Sequence, residues 1–295
     1  MWEEGSREAP PYPDSAWGDV ELLQWDIGLN NNTFSDINTL KTIFYWTGLS
    51  SFLVLELWFS YRQNSVSKPR RWMANLPFSI INGSIYYLIY FSVLAGIMMQ
   101  AKSHQLGLLN SIAMPDWLKM VFGILILDFI LYIWHLLNHV VPLFWRFHRV
   151  HHSDMNMDVS TASRFHIGEL LMSGLVRMMV VYSLGISFIT YMLFEILVNL
   201  SIQFHHSSIR INPFFEKFWV LFFIPPSMHR VHHSVKIKER DSNYGVLFSF
   251  WDRFFGTLTW GIDQSRILIG IGSHRKFENL GFWHMWLMPF TRKSR

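Results

Sequence analysis

Fourteen histidines stand in this chain of 295 residues, and ten of them fall in four clusters. "HLLNH" supplies His135 and His139, and a first "HRVHHS" supplies His148, His151 and His152. "FHHSS" supplies His205 and His206, and a second "HRVHHS" supplies His229, His232 and His233. On a helix, residues three or four apart share a face. HxxxH and HxxHH each aim two imidazoles at one point. The adjacent histidine, about 100° further round the helix, reaches a neighbouring point. The flanks of the two HRVHHS copies do not match, so the chain is not built from repeats.

Ten imidazoles are more than one metal uses. Zinc is satisfied by four ligands in a structural site and by three plus water in a catalytic one. The number suits two metals, and imidazole suits iron, zinc, copper and nickel. The Glu-x-x-His pairs of carboxylate-bridged di-iron bundles are absent, and so is the His-Glu-x-x-His of metalloproteases. An all-imidazole dinuclear site remains, with two iron ions as the first choice and zinc as a substitute. Packing this many imidazoles together without a metal would be costly. His104, His274 and His284 stand alone and read as ordinary polar residues.

Four apolar stretches are long enough to position these clusters in a bilayer, where about 20 helical residues span the hydrocarbon. They begin at Ile43, Phe78, Trp117 and Leu170. The last is too long for one span and suits a helical hairpin with Gly185 near its turn. "FFEKFWVLFFIPP", from Phe214, reads as an interfacial or half-buried helix. After it two prolines stop one element, and Ser227 is the expected cap of the next. Composition agrees with a membrane protein: 51% hydrophobic, 17% aromatic and only 16% charged.

The chain has no cysteine, which removes disulfides, iron–sulfur clusters and haem-thiolate ligation. Its net charge of +4 is scattered, without a basic stretch suited to nucleic acid. "MWEEGSREAPPYPDSAWGDVE" is acidic and Pro-rich and does not read as a signal peptide. The link "RQNSVSKPRR" is basic, so the positive-inside rule puts it, and all four histidine clusters, on the cytosolic side. The expected organisation is an acidic extramembrane arm over 1–42, a membrane-embedded catalytic domain over 43–262 and an interfacial tail over 263–295. The fold class is all-α integral membrane, with four to five transmembrane or re-entrant helices and a cytosolic helical cap carrying the metal site.

Polar residues inside apolar segments are functional candidates. Asp128 lies two turns before His135 on the same face, where it would orient an imidazole or serve as a helix–helix hydrogen bond. Asn243 follows the last cluster and would orient a ligand or form a turn before Gly245. Arg177, Glu56 and Glu195 read as paired within the bundle or near its ends.

The four clusters resemble the histidine boxes of the fatty acid hydroxylase/sterol desaturase superfamily. "DSNYGVLFSFWDRFFGTLTW" resembles that family's Asn-Tyr-Gly and Trp-Asp-Arg-x-Phe-Gly-Thr stretch. "RFHIGE" resembles its Arg-x-His-x-x-Glu segment, and "ENLGFWHMWLMPF" the tail of its bacterial members. The resemblance runs from about residue 50 to the C-terminus. It implies a membrane-bound di-iron enzyme using O2 and external electrons on a lipid C–H bond. It implies as ligands His135, His139, His148, His151, His152, His206, His229, His232 and His233, with His205 the second choice to His206. His166 is an additional ligand by resemblance alone. Ser208 stands where the family has Asn.

The reaction expected is hydroxylation of a sterol, fatty acid or related lipid. A lipid desaturase or a carotenoid hydroxylase of the same superfamily is the alternative. With no G-x-G-x-x-G fingerprint and no thiolate cluster, electrons must come from a partner: a reductase, cytochrome or ferredoxin. A histidine-rich metal transporter would spread its ligands across the bilayer, whereas these gather at one end. A structural zinc scaffold would not need a second metal's worth of histidine.

Overall fold

A computed structural model describes residues 31–291. Residues 1–30, most of the expected N-terminal arm, lie outside the described residues. Helix α1, Asn31–Trp58, begins inside the segment expected as an arm. There follow α2 (Lys68–Ser103), the short α3 (Leu108–Ser111), α4 (Asp116–Val140), α5 (Pro142–His152), α6 (Ile167–Leu184), α7 (Phe188–His206), α8 (Pro213–Trp219) and α9 (Pro226–His232). Among the described residues there is no sheet, only isolated bridges such as Ser60 with Ile209.

Among the described residues four helices are long and apolar enough to cross a membrane: Lys68–Ala101 of α2, then α4, α6 and α7. The stretch after Leu170 is a hairpin as expected. Gly185 ends α6 in the left-handed conformation at φ 66°, which a residue without Cβ adopts at no steric cost. α1, which holds the first expected span from Ile43, is long but is not among these four.

The long helices alternate in direction. α1 packs on α7, α2 on α6, and α4 against both halves of the hairpin. Leu94, Leu127, Leu131, Val181, Tyr191 and Phe194 form the core between them. Leu57, Leu88, Val93, Leu175, Met179 and Ile189 point outward and are exposed, an apolar exterior suited to lipid. At one end Gly107 lies against Gly185 so closely that a Cβ on Gly107 would sit 2.1 Å from the Gly185 nitrogen.

At the other end the links and short helices form a cap. Arg71 anchors it from α2, bonding both carboxylate oxygens of Asp154 (2.9 and 2.7 Å) and one of Asp158 (2.7 Å). The basic link joins this cap too, with Arg62 donating to the Ile267 carbonyl at 3.1 Å. The segment expected as an interfacial tail is packed into the cap. Ile267, Ile269, Ile271, Met285 and Met288 are buried, while Trp283, Leu287 and Phe290 stay exposed. α8 buries none of its residues and exposes Phe214, Phe215 and Phe218, as an interfacial helix would. Ser227 does not cap α9. The helix starts at Pro226 with Pro225 at the cap, and the Ser227 N–H donates instead to Glu216 at 3.1 Å.

Candidate metal centre

The two HRVHHS copies sit on two short helices, α5 and α9, each opened by a proline. Pro142 and Pro226 occupy the first helical turn, where the missing N–H leaves nothing unsatisfied. Val141, extended at the junction of α4 and α5, turns the chain so that His148 comes back under His135 and His139. Their ring centroids lie 5.1 and 5.0 Å from that of His148. α7 delivers His206 from the membrane side.

Nine imidazoles converge in two buried groups. His135, His139, His148, His152 and His232 form one; His151, His206, His229 and His233 form the other. Within each group the donor nitrogens lie within 4.8 Å of one another. The groups abut, with the rings of His152 and His233 stacked at 4.3 Å. The repeated hexapeptide is thereby explained. The first copy puts His148 and His152, an i,i+4 pair, into the first group and His151 into the second. The second copy does the reverse, sending His229 and His233 to the second group and His232 to the first. Each copy holds both groups.

The tautomers are set from outside. His135 Nδ1 meets the Tyr244 carbonyl at 2.8 Å, His232 Nδ1 that of Ser242 at 2.7 Å, and His206 Nδ1 that of Ile202 at 2.8 Å. His148 Nδ1 meets Glu169 Oε1 at 2.7 Å, and His139 Nδ1 meets Asp241 Oδ1 at 3.4 Å. Carbonyl oxygens only accept, so the Nδ1 atoms facing them carry the hydrogen, and in a neutral ring Nε2 is left with a bare lone pair pointing inward. His206 Nε2 faces Nε2 of both His151 and His229 at 3.0 Å. His232 Nε2 is buried with no hydrogen-bond partner. Converging lone pairs repel one another unless a cation lies among them, and ligating imidazoles held by carbonyls or carboxylates through the other nitrogen are how proteins build metal sites. The donor set fits imidazole-bound metals, one in each group.

Protonation would compete with a metal, and the structure opposes it. Burial, then repulsion from neighbouring imidazoles, holds His151, His152, His229, His232 and His233 well below the ordinary 6.5.

The other expected site residues fall differently. His205 stands outside both groups, its ring 4.0 Å from that of His229. His166 is also outside; its Nδ1 caps α6 by accepting from the Gly168 N–H at 3.0 Å. Asp128 orients no imidazole. It accepts from Leu247 N (3.0 Å), Phe248 N (3.2 Å) and Trp251 Nε1 (2.9 Å), and so ties α4 to the loop after α9. Asn243, left-handed at φ 57°, hydrogen-bonds to backbone groups and to no imidazole. Its amide nitrogen donates to the Met228 and Thr259 carbonyls, both at 2.9 Å, and its oxygen accepts from Thr259 N at 2.7 Å. Asp252 completes the loop by accepting from Tyr244 N and Gly245 N, each at 2.8 Å. These three residues shape the Asp241–Tyr244 segment, whose Asp241 carboxylate and Ser242 and Tyr244 carbonyls hold three of the five rings of the first group.

Sequence reasoning missed Glu169, Asp241 and the loop carbonyls. Glu169 was within reach, since it ends the quoted "RFHIGE"; a backbone carbonyl leaves no trace in residue types. Glu56, Arg177 and Glu195 are paired in the bundle as expected: Glu56 with Lys68 at 2.6 Å, Arg177 with Glu195 at 2.5 Å. Ser208 donates its N–H to Glu56 at 2.8 Å.

A cavity of about 760 Å³ runs from these groups into the helix bundle. His135, His148, His151, His205, His206 and His229 form its inner end, and Leu94, Leu131, Trp134 and Val198 its walls.

Residues 120–257, which hold all ten clustered histidines, match the fatty acid hydroxylase family. The chain is 31% identical over 184 residues to an ornithine lipid hydroxylase of Rhizobium tropici, covering 61% of this chain and 53% of the relative. It is 29% identical over 150 residues to the cholesterol 25-hydroxylase of Homo sapiens, covering 47% and 50% respectively. With the alkylglycerol monooxygenase of Xenopus tropicalis it shares 31% identity over 144 residues, 49% of this chain and 31% of the relative. The chain thus spans about half the length, or less, of these relatives. No solved structure matches it significantly.

Proposed function

We propose that this chain belongs to the fatty acid hydroxylase/sterol desaturase superfamily and hydroxylates a C–H bond of a membrane lipid with O2 at a di-iron centre. One observation carries the reading: two abutting all-imidazole groups close the inner end of a largely apolar cavity. Two iron ions bound there would supply the activation of O2 that an unactivated C–H bond requires.

The chain's own residues do the rest. His135, His139, His148, His152 and His232 would hold one ion, and His151, His206, His229 and His233 the other. Glu169, Asp241 and the Ser242 and Tyr244 carbonyls meet Nδ1 of His148, His139, His232 and His135 and keep those four of the first group's five rings oriented. Leu131 and Trp134 exclude water and aim the substrate at the rings. α1 and α2 are bridged by Asn38 with Tyr87 at 3.0 Å, by Lys41 over the Phe91 ring and by Lys68 with Glu56 at 2.6 Å. Between these bridges Ile80 and Leu88, residues of the cavity wall, border the face by which a lipid would enter sideways from the bilayer. The relatives act on an ornithine lipid, on cholesterol and on an alkylglycerol, which supports a lipid substrate here. Electrons come from a separate reductase, cytochrome or ferredoxin. The metal end faces the cytosol, because the basic link lies at that end.

The test is lipid extraction from cells expressing the chain under ¹⁸O2, with a His151→Ala control. Hydroxylation puts one labelled oxygen into a lipid; desaturation puts in none and removes two hydrogens. Metal content near two per chain should accompany activity. A fully active protein with one metal, or expression that leaves every lipid unchanged, defeats the proposal.

A further inference from the structure

The end of the cavity away from the histidines is charged. Lys41, Tyr86, Arg177, Tyr191, Glu195 and Asn199 line it. Arg177 Nη1 donates to Glu195 Oε1 at 2.5 Å, and its Nη2 to the Tyr86 hydroxyl at 2.9 Å. Lys41 Nζ lies 3.6 Å from the other Glu195 oxygen. Tyr90 and Tyr191 share a hydroxyl–hydroxyl bond of 2.9 Å alongside. Glu195 lies near the middle of α7, and Arg177 beyond the middle of α6. Charges at that depth in membrane-crossing helices are expensive, and they mark substrate paths more often than they serve packing.

A structural ion pair needs one cation for one anion. Here Lys41 and Arg177 face a single Glu195, which leaves one positive charge over. The Arg177 Nε–H is also buried without an acceptor. Surplus positive charge on the wall of an apolar cavity calls for an anionic group that arrives with the substrate. Lys41 belongs to α1, and its ammonium lies 5.9 Å from the centre of the Phe91 ring of α2.

We infer that Lys41 and Arg177 anchor an anionic group, such as a carboxylate, of the lipid whose remote carbon reaches the histidines. The inference rests on the reading of the cavity as the lipid site and deepens it. Glu195 bridges the two cations and limits the affinity. The anchor also sets the position of reaction. Eleven residues of α7 separate Glu195 from His206, about 16 Å at 1.5 Å per residue. With carbon–carbon bonds of about 1.5 Å, an extended chain covers that distance in roughly a dozen bonds. Oxidation therefore falls far from the anionic end.

The test is a binding experiment that does not depend on turnover. Zinc-loaded full-length protein in phosphatidylcholine nanodiscs immobilises 16-doxylstearate, read by electron paramagnetic resonance. Stearate and methyl stearate then compete at equal mole fraction in the bilayer. Stearate should displace the probe about tenfold better than its neutral ester. Lys41→Met should cut that preference to under twofold, and Lys41→Glu should abolish it. Glu195→Gln should raise it. Arg177→Gln risks the bundle itself, so the Lys41 variants carry the test. An unchanged preference in Lys41→Met, or none in the wild type, overturns the anchor. His151→Ala should keep the preference while losing lipid oxidation. Failed oxidation with the preference intact therefore speaks against the reaction and leaves the anchor standing.

Discussion

Removing one histidine from each HRVHHS copy should affect the two metals unequally. His151 is the one residue the first copy sends to the four-donor group, and His232 the one the second copy sends to the five-donor group. His151→Ala leaves three donors, whereas His232→Ala leaves four. Loss of a group that merely orients a ligand costs 10–100-fold in metal affinity or activity, so loss of a ligand should cost at least about a hundredfold, or about 2.7 kcal/mol. After dialysis, metal mass spectrometry should find His151→Ala near one metal per chain and His232→Ala closer to two. Turnover should fall more than a hundredfold in both, because the pair acts as a unit. For the same reason the double variant should lose little more than either single one, far short of the product of two independent losses. Both should still insert and keep their helicity, since the bundle rests on α1 against α7 and α2 against α6. The assay is ¹⁸O incorporation into lipid on protein of known metal content. If His151→Ala kept two metals and more than about a tenth of wild-type turnover, a loss below about 1.4 kcal/mol, the division of the hexapeptides between two sites would be wrong.

Glu169→Gln removes the carboxylate facing His148 and should lower metal retention and turnover 10–100-fold with little change in melting temperature, checked by competition with a chelator. Asp128→Asn sets an amide against three donors and should destabilise the protein by about 1–3 kcal/mol, read from thermal unfolding, while leaving the histidine count intact. Metal-free protein should be acid-sensitive. His151, His152, His229, His232 and His233 are held below 6.5 when folded, so the unfolded chain binds more protons as pH falls beneath that value. Stability is thus complete above about 6.5 and declines below it, by up to about 1.4 kcal/mol per pH unit for each such histidine; a flat profile between pH 7 and 5 would contradict this. Single cysteines at the exposed Ser103 and Ser265 of this cysteine-free chain report topology. An impermeant thiol reagent added to intact cells should label Ser103→Cys and spare Ser265→Cys.

The sequence alone carried the membrane class, the hairpin at Gly185 and the four histidine clusters, because each is a local property. Span length, a turn glycine and i,i+4 spacing are all written in neighbouring residues. It also carried the surplus of imidazole over one metal. It did not divide nine of the ten histidines into two groups or set His205 apart from both. HxxHH permits either i,i+3 or i,i+4 pairing, and only the approach of α5 and α9 from different sides selects His148 with His152, and His229 with His233. Nor did it assign Asp128 and Asn243. A carboxylate two turns before His135 suggests an imidazole partner, yet the loop from Tyr244 to Trp251 folds over α4 and claims it with backbone N–H groups. The acceptors that orient the rings are largely main-chain carbonyls, which every residue has and no residue type advertises. Lys41, Arg177 and Glu195 are distant in the sequence. They become one charged end of a cavity only because α1, α6 and α7 bring them to one depth.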